Sequence, residues 1–153
     1  MIEVRTAAPD EPPAVLLLEA LSETLEAITG SSGRASFDPA DMAGEGALFA
    51  LALLDGEAAG CGAFRPLQPG VAEIKRMYAR PGTQGVGAAL LAFLEREAAR
   101  MGYREAWLET RAVNTRAVRF YERHGYAQIE NFGKYRGRSD AVCFAKRLSS
   151  ALV

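Results

Sequence analysis

The sequence predicts a mixed α/β fold, in which a single domain is built on a mostly antiparallel central sheet of about six or seven strands with helices on both faces. Three observations indicate this class. The chain has 153 residues, a length typical of one domain. Short apolar stretches bounded by turn residues recur along it, and segments with helical apolar spacing lie between some of them. Their order is strand, helix, antiparallel meander, then loop, helix, strand, helix and two strands.

The first third of the chain predicts a strand, a helix and a loop. Residues 2–5 alternate apolar and polar side chains, as in a short strand. Asp10 and the prolines after it favour a helix start. Apolar residues then recur at helical spacing up to Gly30, namely Val15, Leu18, Leu21, Leu25 and Ile28. Residues 30–46 are rich in Gly, Ser, Asp and Pro, so we expect a loop there, a candidate lid over a substrate.

The rest of the chain predicts a meander followed by alternating helices and strands. Asp55-Gly56 is a hairpin signal between apolar strands at 48–54 and 58–65. A second turn at 66–70 leads to a strand over 71–79. The remaining predicted elements are a helix over 86–101 capped by Gly102, a strand over 103–110, a helix over 114–124 capped by Gly125, and strands over 126–130 and 141–148.

Composition and charge exclude several classes of protein. A formal net charge of −1 gives no electrostatic footprint for nucleic acid or for a membrane surface. Cys61 and Cys143 form no disulfide framework and no metal spacing, and the single histidine, His124, makes a zinc site unexpected. The N-terminus lacks a signal-peptide pattern, and the longest apolar run, 47–54, is too short to span a bilayer. We therefore expect a cytoplasmic enzyme without a metal.

A glycine-rich stretch at 77–91 joins a predicted strand to a predicted helix. Pro81 ends the strand, and Gly82, Gly85 and Gly87 let the backbone bend and approach a ligand closely. The helix start presents unpaired N–H groups and a positive dipole end, which together suit an anion, most naturally a phosphate. A Walker loop would need a lysine that is absent, and a dinucleotide fingerprint would need a third glycine and a preceding βαβ repeat. An ordinary connection without a ligand also fits this stretch alone.

The strand that leads into the glycine loop carries charge where burial is expected. Glu73, Lys75 and Arg76 lie close together in it, and burying unpaired charge is costly. Either this face is open to solvent, or the charges line a cleft. In the second case Glu73 is a candidate general base, and Lys75 or Arg76 contacts substrate. Desolvation would raise the pKa of Glu73, whereas the two cations would lower it.

A second segment with chemical potential covers residues 114–126. Asn114 is a good helix N-cap. Tyr121 shares a helical face with Ala117 and Val118, a face that otherwise packs. The structural interpretation of Tyr121 is a core tyrosine whose hydroxyl finds a partner. The functional interpretation is a phenol that returns a proton to a thiolate held beside it.

Together these segments resemble the GNAT N-acetyltransferase superfamily. The resemblance covers about residues 1–148 and is densest over 73–126. It rests on the stretch 77–91, on its lead-in at 73–81, and on the pattern Asn114-x-x-Ala117-x-x-Phe120-Tyr121-x-x-x-Gly125-Tyr126. It implies the GNAT fold, with central strands that splay, here the strands ending near Ala79 and Thr110.

The resemblance implies an acetyl-CoA-dependent N-acetyltransferase that transfers acetyl directly to a primary amine of a small molecule or peptide in a ternary complex. Tyr121 would protonate the departing thiolate, Glu73 or Glu109 would take the amine proton through water, and N–H groups at a strand bulge would steady the oxyanion. The backbone of Met77 and Ala79 would pair with pantetheine, which Asn114 would also reach. The amides at 83–88 would hold the pyrophosphate. The implied cofactor-binding residues are Met77, Tyr78, Ala79, Thr83, Gln84, Gly85, Val86, Gly87, Ala88 and Asn114.

The glycine loop departs from the family pattern. Most members place Arg or Gln three residues before the first glycine of the Gly-x-Gly pair, whereas this chain has Gly82 there and a loop about two residues short. Gln84 stands as a shifted substitute, so we expect weakened but retained acetyl-CoA binding. Two alternatives stay open: a non-catalytic GNAT-like binding or regulatory module, and an enzyme that uses another acyl-CoA.

The acceptor is not identified by the sequence. The loop at 30–46 and the stretch at 131–136 are expected to shape its pocket. Basic residues there and nearby hint at an acceptor with a carboxylate, namely Arg34, Lys134, Arg136 and Arg138. Members of the superfamily are often dimers, so the resemblance leaves a homodimer open without indicating one; no nucleic-acid or membrane partner is expected.

Overall fold

The computed structural model describes residues 1–34, 42 and 44–149, and within them it contains one seven-stranded sheet. The strands are β1 (Ile2–Thr6), β2 (Leu48–Leu54), β3 (Glu57–Gln68), β4 (Val71–Ala79), β5 (Glu105–Arg111), β6 (Ala127–Ile129) and β7 (Ala141–Arg147). The helices are α1 (Pro12–Thr29), α2 (Val86–Arg100) and α3 (Thr115–Arg123), with a 3₁₀ turn at Gly133–Tyr135. The predicted element order and the mixed, mostly antiparallel sheet are confirmed.

The sheet has the order β1-β2-β3-β4-β5-β7-β6. Its pairs are antiparallel except for β4 and β5, which run parallel because α2 carries the chain across the sheet between them. These two strands are therefore the centre of the sheet, and the carboxyl ends of both lie at the same edge.

Two apolar clusters fix the helices on opposite faces of the sheet. The α2 stripe of Val86, Leu90, Leu91, Leu94 and Ala98 is fully buried against the face that carries Phe64, Ile74 and Leu108. Ala14 and Leu17 of α1 pack on the other face, against Phe49, Leu51 and Cys61. Each helix thus buries one stripe, which confirms the prediction of helices on both faces.

Some predicted boundaries were wrong. Glu11 rather than Asp10 precedes α1, and its carboxylate accepts the Ala8 amide at 2.9 Å. β3 continues through Pro66 to Gln68, so the second turn is shorter than 66–70; a register shift between Pro66 and Gln68 accommodates the residue that lacks an N–H. β5 begins at Glu105, because the amide of Tyr103 still donates to the carbonyl oxygen of Ala98 in the last turn of α2, at 3.0 Å.

The predicted lid at 30–46 lies partly outside the described residues, which leave out 35–41 and 43. At its start, Ser31 and Gly33 contribute to the wall of the central cavity. No helix in the described part of the chain is long and apolar enough to cross a membrane.

Candidate active site

The central strands part at their carboxyl ends and open a cavity. β4 and β5 pair only from Val71 and Glu105 to Glu73 and Trp107, and then they separate. The cavity between them has a volume of about 150 Å³. Its wall includes residues of β4, β5, α1, α3 and the 3₁₀ turn, among them Glu73, Lys75, Arg76, Met77, Glu109, Arg111, Asn114, Tyr121 and Tyr135. The splay implied by the sequence is present, and the residues predicted for the chemistry converge on it.

A bulge in β4 shapes one wall of the cavity. Between the pairs Ala63–Lys75 and Cys61–Tyr78 the strand gains one residue. Arg76 lies in this gap with a left-handed φ of 57°, a conformation uncommon outside glycine. Its guanidinium reaches α1 and donates to the hydroxyl of Ser22. Burial lowers the pKa of Arg76 from its ordinary value. Consecutive side chains, Lys75 and Arg76, therefore both line the cavity instead of alternating between faces.

The glycine loop ends β4 and starts α2. Gly85 precedes the first residue of α2 with a φ of 79°, where a side chain would be strained. The first turn of α2 has no acidic residue, and its amides at 86–88 precede the first helical hydrogen bond, from Ala89 to Gly85. These amides suit an anion. Unlike the amides at 86–88, the amide of Thr83 is not available to an anion, since both its amide and its hydroxyl donate to the carbonyl oxygen of Arg80. The neighbouring Gln84 is exposed.

The end of β4 offers a backbone edge to the cavity. Met77 and Ala79 pack into the cluster under α2, and Tyr78 packs into the cluster under α1. On one side this segment pairs with β3, through Cys61–Tyr78 and Gly60–Ala79. On the other side no strand in the described part of the chain pairs with it beyond Glu73. An extended ligand in the gap can therefore bond to this edge as an added strand would.

The helix α3 brings Asn114 and Tyr121 to the cavity. Asn114 caps α3, and its Oδ1 accepts the Ala117 amide at 3.3 Å, as predicted. Tyr121 is 8% exposed and its ring meets those of Phe120 and Tyr126 edge-on. Its hydroxyl has no hydrogen bond to a described residue, in contrast to the structural interpretation of a bonded core tyrosine. Burial raises the pKa of Tyr121 above its ordinary value of 10, so the hydroxyl stays protonated.

Glu73 lies in the wall of the cavity but is strongly engaged. The residue is 2% exposed. Nε and an Nη of Arg65 donate to one carboxylate oxygen at 3.0 and 2.9 Å, while Lys75 Nζ lies 4.0 Å from the other. Arg65 faces Glu73 across the β3–β4 ladder. The buried charge of Glu73 is thus compensated by two cations.

Glu109 is the second carboxylate of the cavity, and its environment differs. Desolvation raises its pKa, although Arg111 opposes the shift with an ion pair and a hydrogen bond. Arg111 is shared, because its Nε also lies 3.7 Å from Asp140. Asp140 in turn receives two hydrogen bonds from Arg138, at 3.1 and 2.9 Å. A carboxylate with a raised pKa in a cleft is a candidate general base.

Sequence reasoning missed several residues of the site. Arg65 could have been found, since hairpin pairing places it opposite Glu73 and opposite charges favour such pairs. Arg111 follows Glu109 on the same face of β5, which the two-residue period of a strand indicates. Asp140 left no signal, because its position depends on the loop between β6 and β7. Tyr135 lies within the stretch expected to shape the acceptor pocket and does line the cavity.

Relatives with solved structures share this architecture. An acyl-CoA N-acyltransferase, as it is described, from Klebsiella pneumoniae superposes with a TM-score of 0.81 at 28% identity, over 97% of this chain and 99% of that chain. A GNAT family acetyltransferase from Elizabethkingia anophelis, solved with acetyl-CoA bound, gives a TM-score of 0.70 at 18% identity, over 96% and 98% of the two chains. The second likeness concerns the fold alone.

Sequence comparison agrees with the fold. An IAA acetyltransferase from Azospirillum brasilense is 28% identical over 137 residues, which cover 88% of this chain and 90% of that protein. The family model for acetyltransferases of the GNAT family matches residues 15–126, a range that contains β4, the glycine loop, β5 and α3. With its splayed central strands, this chain belongs to the acetyltransferase (GNAT) family.

Proposed function

We propose that this protein is an acetyl-CoA-dependent N-acetyltransferase that transfers acetyl directly to a primary amine of a small molecule or peptide in a ternary complex. One observation carries the proposal: a phenol without a described partner and a desolvated carboxylate enter the same cavity. Tyr121 comes from α3 on the α2 face of the sheet, whereas Glu109 follows Leu108 and points to the opposite face. One group can supply a proton and the other can take one.

The residues around the gap fit acetyl-CoA. The open backbone edge at Met77 and Ala79 suits the amides of pantetheine, and the Asn114 amide lies in the same wall. The amides at 86–88 suit the pyrophosphate. Because the amide of Thr83 already donates to the carbonyl oxygen of Arg80, fewer amides than the full range 83–88 are available to the pyrophosphate. This supports the expectation of weakened acetyl-CoA binding. Acetyl-CoA supplies an activated thioester; the chain supplies position and proton transfer.

Tyr121 serves as the hydrogen-bond donor to the departing sulfur. A thiol has a pKa of about 8.5, and burial places that of Tyr121 above 10, so full transfer of its proton is uphill by about 1.4 kcal/mol per pKa unit. Its principal contribution is therefore a hydrogen bond that stabilises negative charge on the sulfur as the bond breaks. In this proposal, backbone N–H groups at the bulge around Arg76 stabilise the oxyanion that develops on the acetyl carbonyl group.

Of the two carboxylates, Glu109 is the better candidate for the general base that accepts the amine proton. Glu73 is the better candidate for a structural role as a buried anion. Both carboxylates line the cavity, but Glu73 is held by Arg65 and Lys75. The raised pKa of Glu109 makes it a stronger acceptor than an ordinary carboxylate. A primary amine with a pKa near that of lysine needs such an acceptor, directly or through water, before it attacks.

The test is Tyr121→Phe, assayed by release of CoA thiol from acetyl-CoA against a panel of primary amines. We expect kcat to fall by about 10²-fold or more while the Kd for acetyl-CoA changes little, since the lost group acts on developing charge. Tyr126→Phe is the matched control: Tyr126 is a buried tyrosine whose hydroxyl binds Glu95 at 2.8 Å, and it does not line the cavity. Equal turnover in Tyr121→Phe and wild type would remove Tyr121 from the reaction. Failure of the wild type to bind acetyl-CoA would favour a non-catalytic module.

A further inference from the structure

The central cavity contains a primary amine that belongs to the chain itself, the side-chain amine of Lys75. The sequence has two other lysines, and neither lines the cavity in the described part of the chain. Lys134 is exposed, and Lys146 pairs with Glu95 of α2 at 3.0 Å. Of the three lysine amines, that of Lys75 alone therefore reaches the space proposed for acetyl transfer.

The amine of Lys75 lies on the side of the sheet that carries both carboxylates. Ile74 packs under α2, so its neighbours Glu73 and Lys75 point to the opposite face, as Glu109 does. Lys75 Nζ lies 4.0 Å from a carboxylate oxygen of Glu73, and its side chain is 8% exposed. Its charge also reaches Glu109: desolvation raises the pKa of that carboxyl, and the opposing cations include Lys75. The amine is thus held on the side where an acceptor would pass its proton to Glu109.

The position of this amine has two opposing effects on its reactivity. A nucleophile tethered inside the cavity needs no encounter step, so its effective concentration exceeds that of a dissolved acceptor. The ion pair with Glu73 acts the other way, because it stabilises the ammonium form and only the neutral amine attacks a carbonyl carbon. Together these effects predict a slow reaction that occurs once in each chain and competes with transfer to a dissolved amine.

We propose that Lys75 is acetylated by the acetyl-CoA bound to its own chain. This inference rests on the proposed function, because it takes acetyl-CoA as the donor. The Lys75 nitrogen attacks the thioester carbonyl carbon, the new C–N bond forms and the C–S bond breaks, while Tyr121 donates a hydrogen bond to the departing sulfur. Of the two protons that the ammonium group loses, one passes through Glu109 to solvent and the other ends on the CoA thiol. The products are an acetamide on Lys75 and free CoA.

The modification obstructs the acceptor side of the cavity. It adds an acetyl group to a side chain in the wall of a cavity of about 150 Å³. It also removes the charge of Lys75, so that Glu73 keeps its pair with Arg65 but loses the second cation. A chain modified at this position should therefore transfer acetyl to dissolved amines more slowly, and the reaction limits the enzyme when acceptor is scarce.

The experiment incubates the wild-type chain with saturating acetyl-CoA and no acceptor, and follows the intact mass and the peptide map with time. We expect each chain to gain one acetyl group on Lys75, with a rate constant that does not depend on protein concentration. Tyr121→Phe should lower this rate constant by about tenfold or more. Lys75→Arg, which keeps a cation beside Glu73, should abolish the modification. Lys146→Arg is the matched control, since Lys146 also pairs with a glutamate but lies outside the cavity; this variant should react at the wild-type rate.

Each outcome decides a separate point. Uncatalysed acetylation would favour the exposed Lys134, so modification of Lys134 as fast as Lys75 would overturn the inference. A rate constant that rises with protein concentration would also overturn it, because one chain would then be acetylating another. Transfer to a dissolved amine while Lys75 stays unmodified would overturn the inference and leave the proposed function standing. Absence of both reactions would overturn the inference together with the proposed function.

Discussion

The contrast between the two carboxylates of the cavity leads to a prediction about Glu73→Gln. This change keeps the shape of the side chain and removes its charge. In the native protein that charge is 2% exposed, and Arg65 donates two hydrogen bonds to one of its oxygens. Lys75, whose side chain is 8% exposed, is the second cation in reach. The variant therefore leaves two cations facing a neutral amide in a mostly desolvated place.

The cost can be worked out from this geometry. Breaking a fully buried ion pair by removing one partner costs about 3–5 kcal/mol. Arg65 is 30% exposed, so water recovers part of its solvation, and the glutamine oxygen keeps one hydrogen bond. We therefore expect about 2 kcal/mol of destabilisation. For a chain of 153 residues this corresponds to a fall in Tm of about 4–8 °C.

The assay combines calorimetric unfolding with turnover measured at 25 °C, well below the transition. We expect the Tm to fall while kcat of the folded fraction stays within about threefold of wild type, because the base that we propose is Glu109. A double-mutant cycle with Arg65→Gln provides the control: the two changes should be strongly non-additive in stability, since they remove the same pair. Loss of turnover by orders of magnitude at unchanged Tm would refute this reasoning and make Glu73 the base.

Two other substitutions separate the remaining roles. In Glu109→Gln we expect kcat/KM to fall and the part of its acidic limb that is due to Glu109 to disappear. Because the pKa of Glu109 is raised, its active carboxylate form is lost as the pH falls through a value above 4.5, whereas a limb due to the acceptor amine persists and moves with the amine. A pH profile that is the same in the variant and the wild type would exclude Glu109. In Asn114→Asp the helix cap is kept, so Tm should hold within about 1 °C, whereas loss of the amide donor should weaken acetyl-CoA binding by about tenfold in calorimetry; unchanged affinity would leave Asn114 a cap alone.

The local patterns of the chain predicted its elements well. The start of α2 at Val86 and the Asn114 cap depend on residues close in sequence, and each was found where it was expected. The convergence of Tyr121 with the two carboxylates came from the family resemblance, since helix and strands are far apart in the chain. The boundaries that failed, such as the extension of β3 through Pro66, depend on pairing with a partner strand.

The bulge in β4 was expected from the resemblance, but its position could not be derived from local patterns. Its cause lies in β3, where Gly60 and Gly62 stand opposite the irregular part of β4. A Cβ at Gly60 would lie 2.6 Å from the carbonyl oxygen of Tyr78, and one at Gly62 would lie 2.5 Å from Met77 Sδ. Glycine inside a strand signals such close approach. Only the register of the two strands says which residue of β4, here Arg76, takes the left-handed conformation.

The point at which β4 and β5 part explains why two similar carboxylates differ. Glu73 is the last residue of β4 that pairs with β5, opposite Trp107, and it is still flanked by β3, so a cross-strand arginine can reach it. Glu109 lies two residues beyond Trp107, where the partner strand has turned away; its cation comes from its own strand and is shared with Asp140. Two cations lie against the carboxylate at the first position. At the second position desolvation outweighs the opposing cations, of which Arg111 has the largest effect, and raises the pKa of Glu109. The same separation of strands that opens the cavity therefore also leaves Glu109 desolvated, with a raised pKa.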